Sequence, residues 1–299
     1  MIKDQLSWEE FLKKTPKNKK IKEINEFNRL IAHTKNLFVI SGYGAFTKGY
    51  LVIITKELLP SYGLINDEIK KELDFLIKIC RDFISKTYSR KSTIFEHGMC
   101  ACVGGLDRAH LHIMSINNNS TEKTLKSSIN QALFNRKAGI RSIKFKKYKL
   151  ENLHDINQLY EEAVRNINEY QIEGKLLEIK DIRNLEYKNW PKITLNHIRK
   201  GGHYVYFESD FENASFLTTN NFQTQLGREI VYINENFIDD KFKKAMTNIN
   251  KNNFVNTWQW QNYMFEENIV ETLHDAKEYF RSYIKNDYNK LDNFELEVI

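Results

Sequence analysis

Apolar positions along the first 120 residues follow two different spacings. Over residues 21–33, Ile21, Ile24, Phe27 and Ile31 recur every three or four positions, which predicts a helix with one buried side. Two short apolar runs follow at residues 37–40 and 50–54, separated by Ser-Gly-Tyr-Gly-Ala-Phe-Thr-Lys-Gly; the glycines mark a turn, so the pair predicts a β-hairpin. Asn66 before Asp67 and Glu68 is a helix start: a short polar side chain can accept from a free first-turn N–H, and acidic residues suit the positive end of the helix dipole. Ile69, Leu73, Leu76, Cys80 and Phe83 then line one stripe that packs on the sheet, and Cys80 belongs to that core. Residues 92–97 and 108–116 predict two further strands, with Gly98, Gly104 and Gly105 punctuating the loop between them. Asn117-Asn118-Asn119-Ser120 is a polar loop that ends the second strand.

The second half is less regular. Ile143 and Phe145 alternate with Lys144 and Lys146 as in a strand. Residues 153–170 predict a helix, residues 204–207 a strand and residues 223–233 an amphipathic helix. Ile269, Leu273, Ala276, Phe280 and Ile284 mark one more helix. There is no Pro/Gly/Ser-rich linker and no internal repeat. The boundary is set near residue 150, with residues 1–150 (core about 20–120) as one domain and 151–299 as a carboxy-terminal extension.

Composition narrows the class. With 299 residues, 41% hydrophobic and 28% charged, the chain can bury a substantial core and is neither disordered nor fibrous. The excess of 45 Lys+Arg over 39 Asp+Glu suits a phosphate-bearing small molecule and is weak support for a nucleic acid. The Lys run within residues 13–22 reads as a solvated arm. The three cysteines, Cys80, Cys100 and Cys102, form no disulfide framework. The amino terminus lacks an apolar signal region, and no apolar run reaches about 18 residues, so the expectation is a cytoplasmic protein without a membrane span.

The segment from Phe95 to Asn117 carries the chemistry. On a strand, alternate side chains share a face, so Arg108, His110 and His112 project together while Ala109, Leu111 and Ile113 turn to the core. A guanidinium and two imidazoles on one face call for an anionic tenant, and phosphate fits the planar fork of Arg. For His-x-His alone, a surface strand and a metal site remain open. Cys-x-Cys followed by His-x-His is not a standard zinc spacing, however, and Arg108 would repel a cation, so no metal is expected.

Taken together these residues resemble the histidine triad (HIT) family, whose signature is His-φ-His-φ-His-φ-φ on a strand after a glycine-containing loop. The matching register is Arg108-Ala109-His110-Leu111-His112-Ile113-Met114, preceded by Phe-Glu-His-Gly at residues 95–98 and by Gly105-Leu106-Asp107. Residues 37–56 are similar to the family's first hairpin, ending in Leu51-Val52-Ile53-Ile54-Thr55-Lys56, although Tyr50 stands where many members have His and no His follows Lys56. Gln225-Leu226-Gly227-Arg228-Glu229 and Trp258-Gln259-Trp260 resemble the Cwf19-like branch.

The resemblance implies an α+β fold: an antiparallel sheet of about five strands with packed helices, followed by an α-rich carboxy-terminal extension. It implies a hydrolase whose central His110 attacks the α-phosphorus of a nucleotide derivative to form a nucleotidyl-histidine. His112 would hydrogen-bond a phosphate or leaving-group oxygen. Arg108, in place of the first His, would stabilise phosphoryl charge rather than donate a proton. A second register makes His112 the nucleophile with Met114 in third place. Ser41 and Tyr43 would contact ribose and base, and His97 would reach the site or brace its loop. Gln225 and Arg228 are one helical turn apart, which makes them a joint phosphate-binding face or a solvated surface pair. No cofactor and no metal are implied. Transfer of the nucleotide to a phosphate acceptor, and a non-catalytic nucleotide- or RNA-binding module, are the alternatives. The substrate is a nucleotide-type small molecule; a homodimer formed through the sheet and an RNA are the other partners considered, and no membrane is involved.

Overall fold

The computed structural model describes residues 29–57, 62, 65–98, 109–135, 144–149, 174–179, 203–209, 214–219, 225–253, 265–287 and 295–299. The predicted hairpin is present as β2 (Leu37–Ser41) and β3 (Leu51–Thr55), paired in antiparallel register from Leu37 with Thr55 to Ser41 with Leu51. Ahead of it, β1 (Leu30–His33) corrects the expected helix, whose earlier turns lie outside the described residues. The Thr34 N–H donates to the Leu37 carbonyl at 2.9 Å, closing a tight turn that returns β1 along β2. Both faces of β1 are buried, Leu30 in one cluster and Ile31 with Ala32 in the other, so its composition lacks the alternation of a half-buried strand.

Helix α1 (Asp67–Tyr88) starts where Asn66 predicts it: the Asn66 side chain accepts from the Ile69 N–H at 2.9 Å. Its buried Glu72 accepts from the Thr34 hydroxyl, the Asn36 N–H at 3.0 Å and the Asn36 side-chain amide at 2.6 Å, which ties the helix to the β1–β2 turn. β4 (Lys91–Gly98) and β5 (His110–Ile116) follow, antiparallel, with Phe95 opposite His112. Helix α2 (Glu122–Asn135) then leads to β6 (Lys144–Lys149), β7 (Gly174–Ile179), β8 (His203–Ser209) and β9 (Ala214–Thr219). Helices α3 (Leu226–Ile238), α4 (Asp240–Asn253) and α5 (Glu266–Asp287) and the short β10 (Glu297–Val298) complete the described elements.

The strands form one sheet in the order β10-β1-β2-β3-β5-β4-β8-β9-β7-β6, antiparallel except for the β6–β7 pair. The fold is therefore α+β, as expected, with a larger sheet. Ten strands, not about five, share the sheet among the described residues, and the extension contributes strands as well as helices. The sheet also runs across residue 150. β8 pairs along β4 from Thr93 with Ser209 to Gly98 with Tyr204, and β10 pairs with β1. The outer edge of β4 is thus occupied by the same chain and is closed to a second copy.

Two apolar layers flank the sheet. On one face, Leu51, Ile53, Ile94, Leu111 and Ile113 meet Ile69, Leu73, Leu76, Cys80 and Phe83 of α1 and Ala276 and Phe280 of α5. Each such large side chain contributes about 1.5–3 kcal/mol when fully buried. On the other face, Val52, Phe95, Met114, Val205 and Phe207 pack under Leu125 and Ile129 of α2 and Leu226, Ile230 and Val231 of α3. The second layer covers the face that carries the histidines. No helix among the described residues is long and apolar enough to cross a membrane.

Candidate active site

The period of β5 sets the site. Leu111 and Ile113 point into the α1 layer, while His110 and His112 point the other way, each partly exposed. The two imidazole centroids lie 4.9 Å apart with ring planes at 80°. The neighbouring strand adds Phe95 and His97 on the same face, and Glu96 between them turns away to accept from the Tyr62 N–H at 2.7 Å. Phe95 stacks on His112 at 4.6 Å and 17°, and His97 lies 6.3 Å from His112.

His112 is held on a second side. Its Nδ1 lies 2.6 Å from the hydroxyl of Tyr50, and the two rings stack at 5.9 Å. Its Nε2 makes no hydrogen bond within the described residues. Burial holds the His112 imidazole well below its ordinary proton affinity, and a proton on His110 or His97, like the charge on Arg228, pushes the same way, so the ring is neutral at pH 7. Burial pushes the Tyr50 phenol up, and Arg228 opposes that shift.

Two glycines make these close contacts possible. A Cβ on Gly42 would fall 2.4 Å from the Tyr50 ring, and one on Gly227 would fall 2.2 Å from the Phe95 ring. Gly227 opens α3, and its N–H donates to His97 Nε2 at 3.0 Å. A ring nitrogen that accepts carries no proton, so His97 is the neutral tautomer protonated at Nδ1.

The remaining expected site residues divide. His97 both braces the helix and joins the histidine cluster. Gln225 precedes α3 in the left-handed region at φ 71°, buried, with no capping bond from its side chain. Arg228 does not form a surface phosphate-binding face with it. Only 2% exposed, Arg228 donates to the carbonyl of Tyr43 at 2.9 Å and to that of Gly44, and so fastens the β2–β3 loop. Ser41 is fully buried, and its hydroxyl donates to the Ile269 carbonyl at 3.0 Å. The ring of Tyr43 is covered by the Arg29 guanidinium at 3.4 Å. Arg108, Cys100, Cys102, Trp258, Trp260, the basic arm and the predicted helix at 153–170 lie outside the described residues, as do the side chains of the lysines in β6.

Among the described residues no group of three or more His, Cys, Asp or Glu side chains is arranged to hold a metal ion. Tyr50 and Gly227 are the functional neighbours that sequence reasoning missed. Tyr50 was noted only as a departure from His, and its partner lies 62 positions away. No protein-family model matches the chain, and none of the curated proteins matches it.

Proposed function

We propose that this chain is a HIT-like phosphohydrolase that cleaves a nucleoside 5′-phosphate derivative through a nucleotidyl-histidine on His110 and releases a nucleoside monophosphate. The observation that carries the reading is the pairing on β5 of a partly exposed His110 with a neutral, fixed His112 only 4.9 Å away. An imidazole nucleophile needs a lone pair near pH 7 and a neighbour that can meet the charge on the phosphoryl oxygens. A lone pair of His110 forms the P–N bond as the bond from the α-phosphorus to the leaving oxygen breaks, and the electron pair departs with that oxygen. Water then attacks phosphorus and loses a proton, the P–N bond breaks, and the imidazole is regenerated. His112 hydrogen-bonds a non-bridging or leaving-group oxygen, and the ring of His97 lies 6.3 Å from it in the same cluster. Arg108, at the first triad position, stabilises phosphoryl charge and favours leaving groups that need little protonation. The register with His112 as nucleophile fits less well, because Met114 would then be the third member and its side chain is fully buried in the core.

The test is turnover of a dinucleoside polyphosphate radiolabelled at the α-phosphate, with and without inorganic phosphate. Labelled nucleoside monophosphate should form at the same rate in both, and His110→Ala should abolish it. Phosphate-dependent nucleoside diphosphate would replace hydrolysis by transfer. Tight nucleotide or RNA binding with no turnover would replace the enzyme by a binding module.

A further inference from the structure

We infer that the buried Tyr50, with the Arg228 guanidinium beside its ring, donates to Nδ1 and so fixes His112 as the tautomer protonated at Nε2, so that a neutral N–H faces the phosphate oxygens. The inference rests on the proposed phosphoryl chemistry for its purpose but not for its geometry. Arg228 can only donate. Beside its bonds to the carbonyls of Tyr43 and Gly44, its guanidinium carbon lies 5.1 Å from the centroid of the Tyr50 ring. A guanidinium offers no acceptor, so the buried phenolic hydrogen must be placed elsewhere. The one acceptor for that hydrogen among the described residues is Nδ1 of His112, at 2.6 Å. The reverse arrangement, with His112 Nδ1–H donating to the phenol, would leave the phenolic hydrogen buried without an acceptor.

The cation strengthens this ordering. A guanidinium beside the Tyr50 ring favours an O–H directed away from it toward the imidazole, and the same positive charge disfavours a second proton on the His112 ring. Nδ1 is thereby kept free of a proton, and the ring's single proton sits on Nε2, the nitrogen with no partner within the described residues. An anionic phosphoryl oxygen is the acceptor such an N–H suits, with no charge to be removed before the next turnover. Tyr50 and Arg228 are thus positioning residues: they touch His112 and the loop rather than the substrate. The packing supports the geometry, since the missing Cβ of Gly42 lets the Tyr50 ring lie where its hydroxyl reaches His112.

The experiment is long-range ¹⁵N–¹H correlation of the imidazole rings in the full chain at neutral pH, with His112 assigned by its loss in His112→Asn. The parent should show a protonated Nε2 and an unprotonated Nδ1. Tyr50→Phe keeps the ring and removes only the hydroxyl, so the two nitrogens should drift toward averaged positions. With the α-labelled dinucleoside polyphosphate, kcat should fall about tenfold with KM changed less than about twofold, as for one lost orienting hydrogen bond. A parent protonated at Nδ1, or a Tyr50→Phe chain with the parent tautomer, would overturn the inference, as would unchanged kcat in Tyr50→Phe. The spectra need no turnover, so a chain that forms no phosphorus adduct would sink the catalytic reading and leave the tautomer result standing.

Discussion

Replacing Gly227 by alanine puts a methyl carbon into the ring of Phe95. The built Cβ lies 2.2 Å from Cδ2, 2.5 Å from Cγ and 2.7 Å from Cε2 of that ring. Carbon–carbon contact begins near 3.5 Å, so ring and helix must separate by about 1 Å. The ring cannot yield, because it stacks on His112 at 4.6 Å and lies parallel to Phe207 at 6.1 Å, fully buried. The start of α3 must lift instead, which breaks the 3.0 Å bond from the Gly227 N–H to His97. Overpacking of this kind costs about 1–3 kcal/mol and the lost hydrogen bond about 1, while the better helix propensity of alanine returns at most about 1. The net expectation is a loss of about 1–3 kcal/mol. In urea, with a slope of about 2–3 kcal/mol per molar, the midpoint should fall by about 0.3–1.5 M with the slope unchanged. A midpoint equal to or above the parent's would refute the packing argument.

Three further outcomes follow from single contacts. Glu72→Gln turns one carboxylate oxygen into an amide donor facing donors from Thr34 and Asn36, and should cost about 2–3 kcal/mol in the same urea assay; an unchanged midpoint would count against that cluster. Ser41→Ala should cost about 1 kcal/mol through its lost bond to the Ile269 carbonyl and leave KM for the nucleotide unchanged; a raised KM would return Ser41 to the substrate. His112 is held below the ordinary imidazole value of 6.5, first by burial, so between its lowered native value and 6.5 the unfolded chain binds more protons than the native one. Its contribution to stability is complete above that value and declines as the pH falls below it, by at most about 1.4 kcal/mol per pH unit, and His112→Asn should flatten that slope. A slope identical in the variant would contradict the burial assigned to this ring.

Local patterns carried much of the fold. Asn66 and the stripe from Ile69 to Phe83 specify α1 because cap and period agree, and the β2–β3 hairpin follows from two apolar runs around a glycine-rich turn. β1 was misread because Ile31 continues a helical spacing from residue 21, whereas the strand is decided by pairing with β2 and β10. The union of the two halves in one sheet was invisible for the same reason, since β8 meets β4 across more than a hundred residues.

The strand period brought His110 and His112 together correctly. What completes the cluster is long-range: Tyr50 on His112, and Gly227 on His97, 130 positions apart. Arg228 looked like half of a surface pair with Gln225. A glycine beside it lets α3 abut Phe95, and that approach buries the guanidinium against the β2–β3 loop.

The central claim is that the ring of His110 becomes bonded to phosphorus. The direct measurement is to quench the full chain during turnover of the α-labelled dinucleoside polyphosphate, digest it under alkaline conditions, and locate the label by mass spectrometry. The account predicts an acid-labile nucleotidyl adduct on the peptide carrying His110, mapped to that residue and absent from His110→Ala. An adduct on His112, or one that survives in His110→Ala, would contradict it.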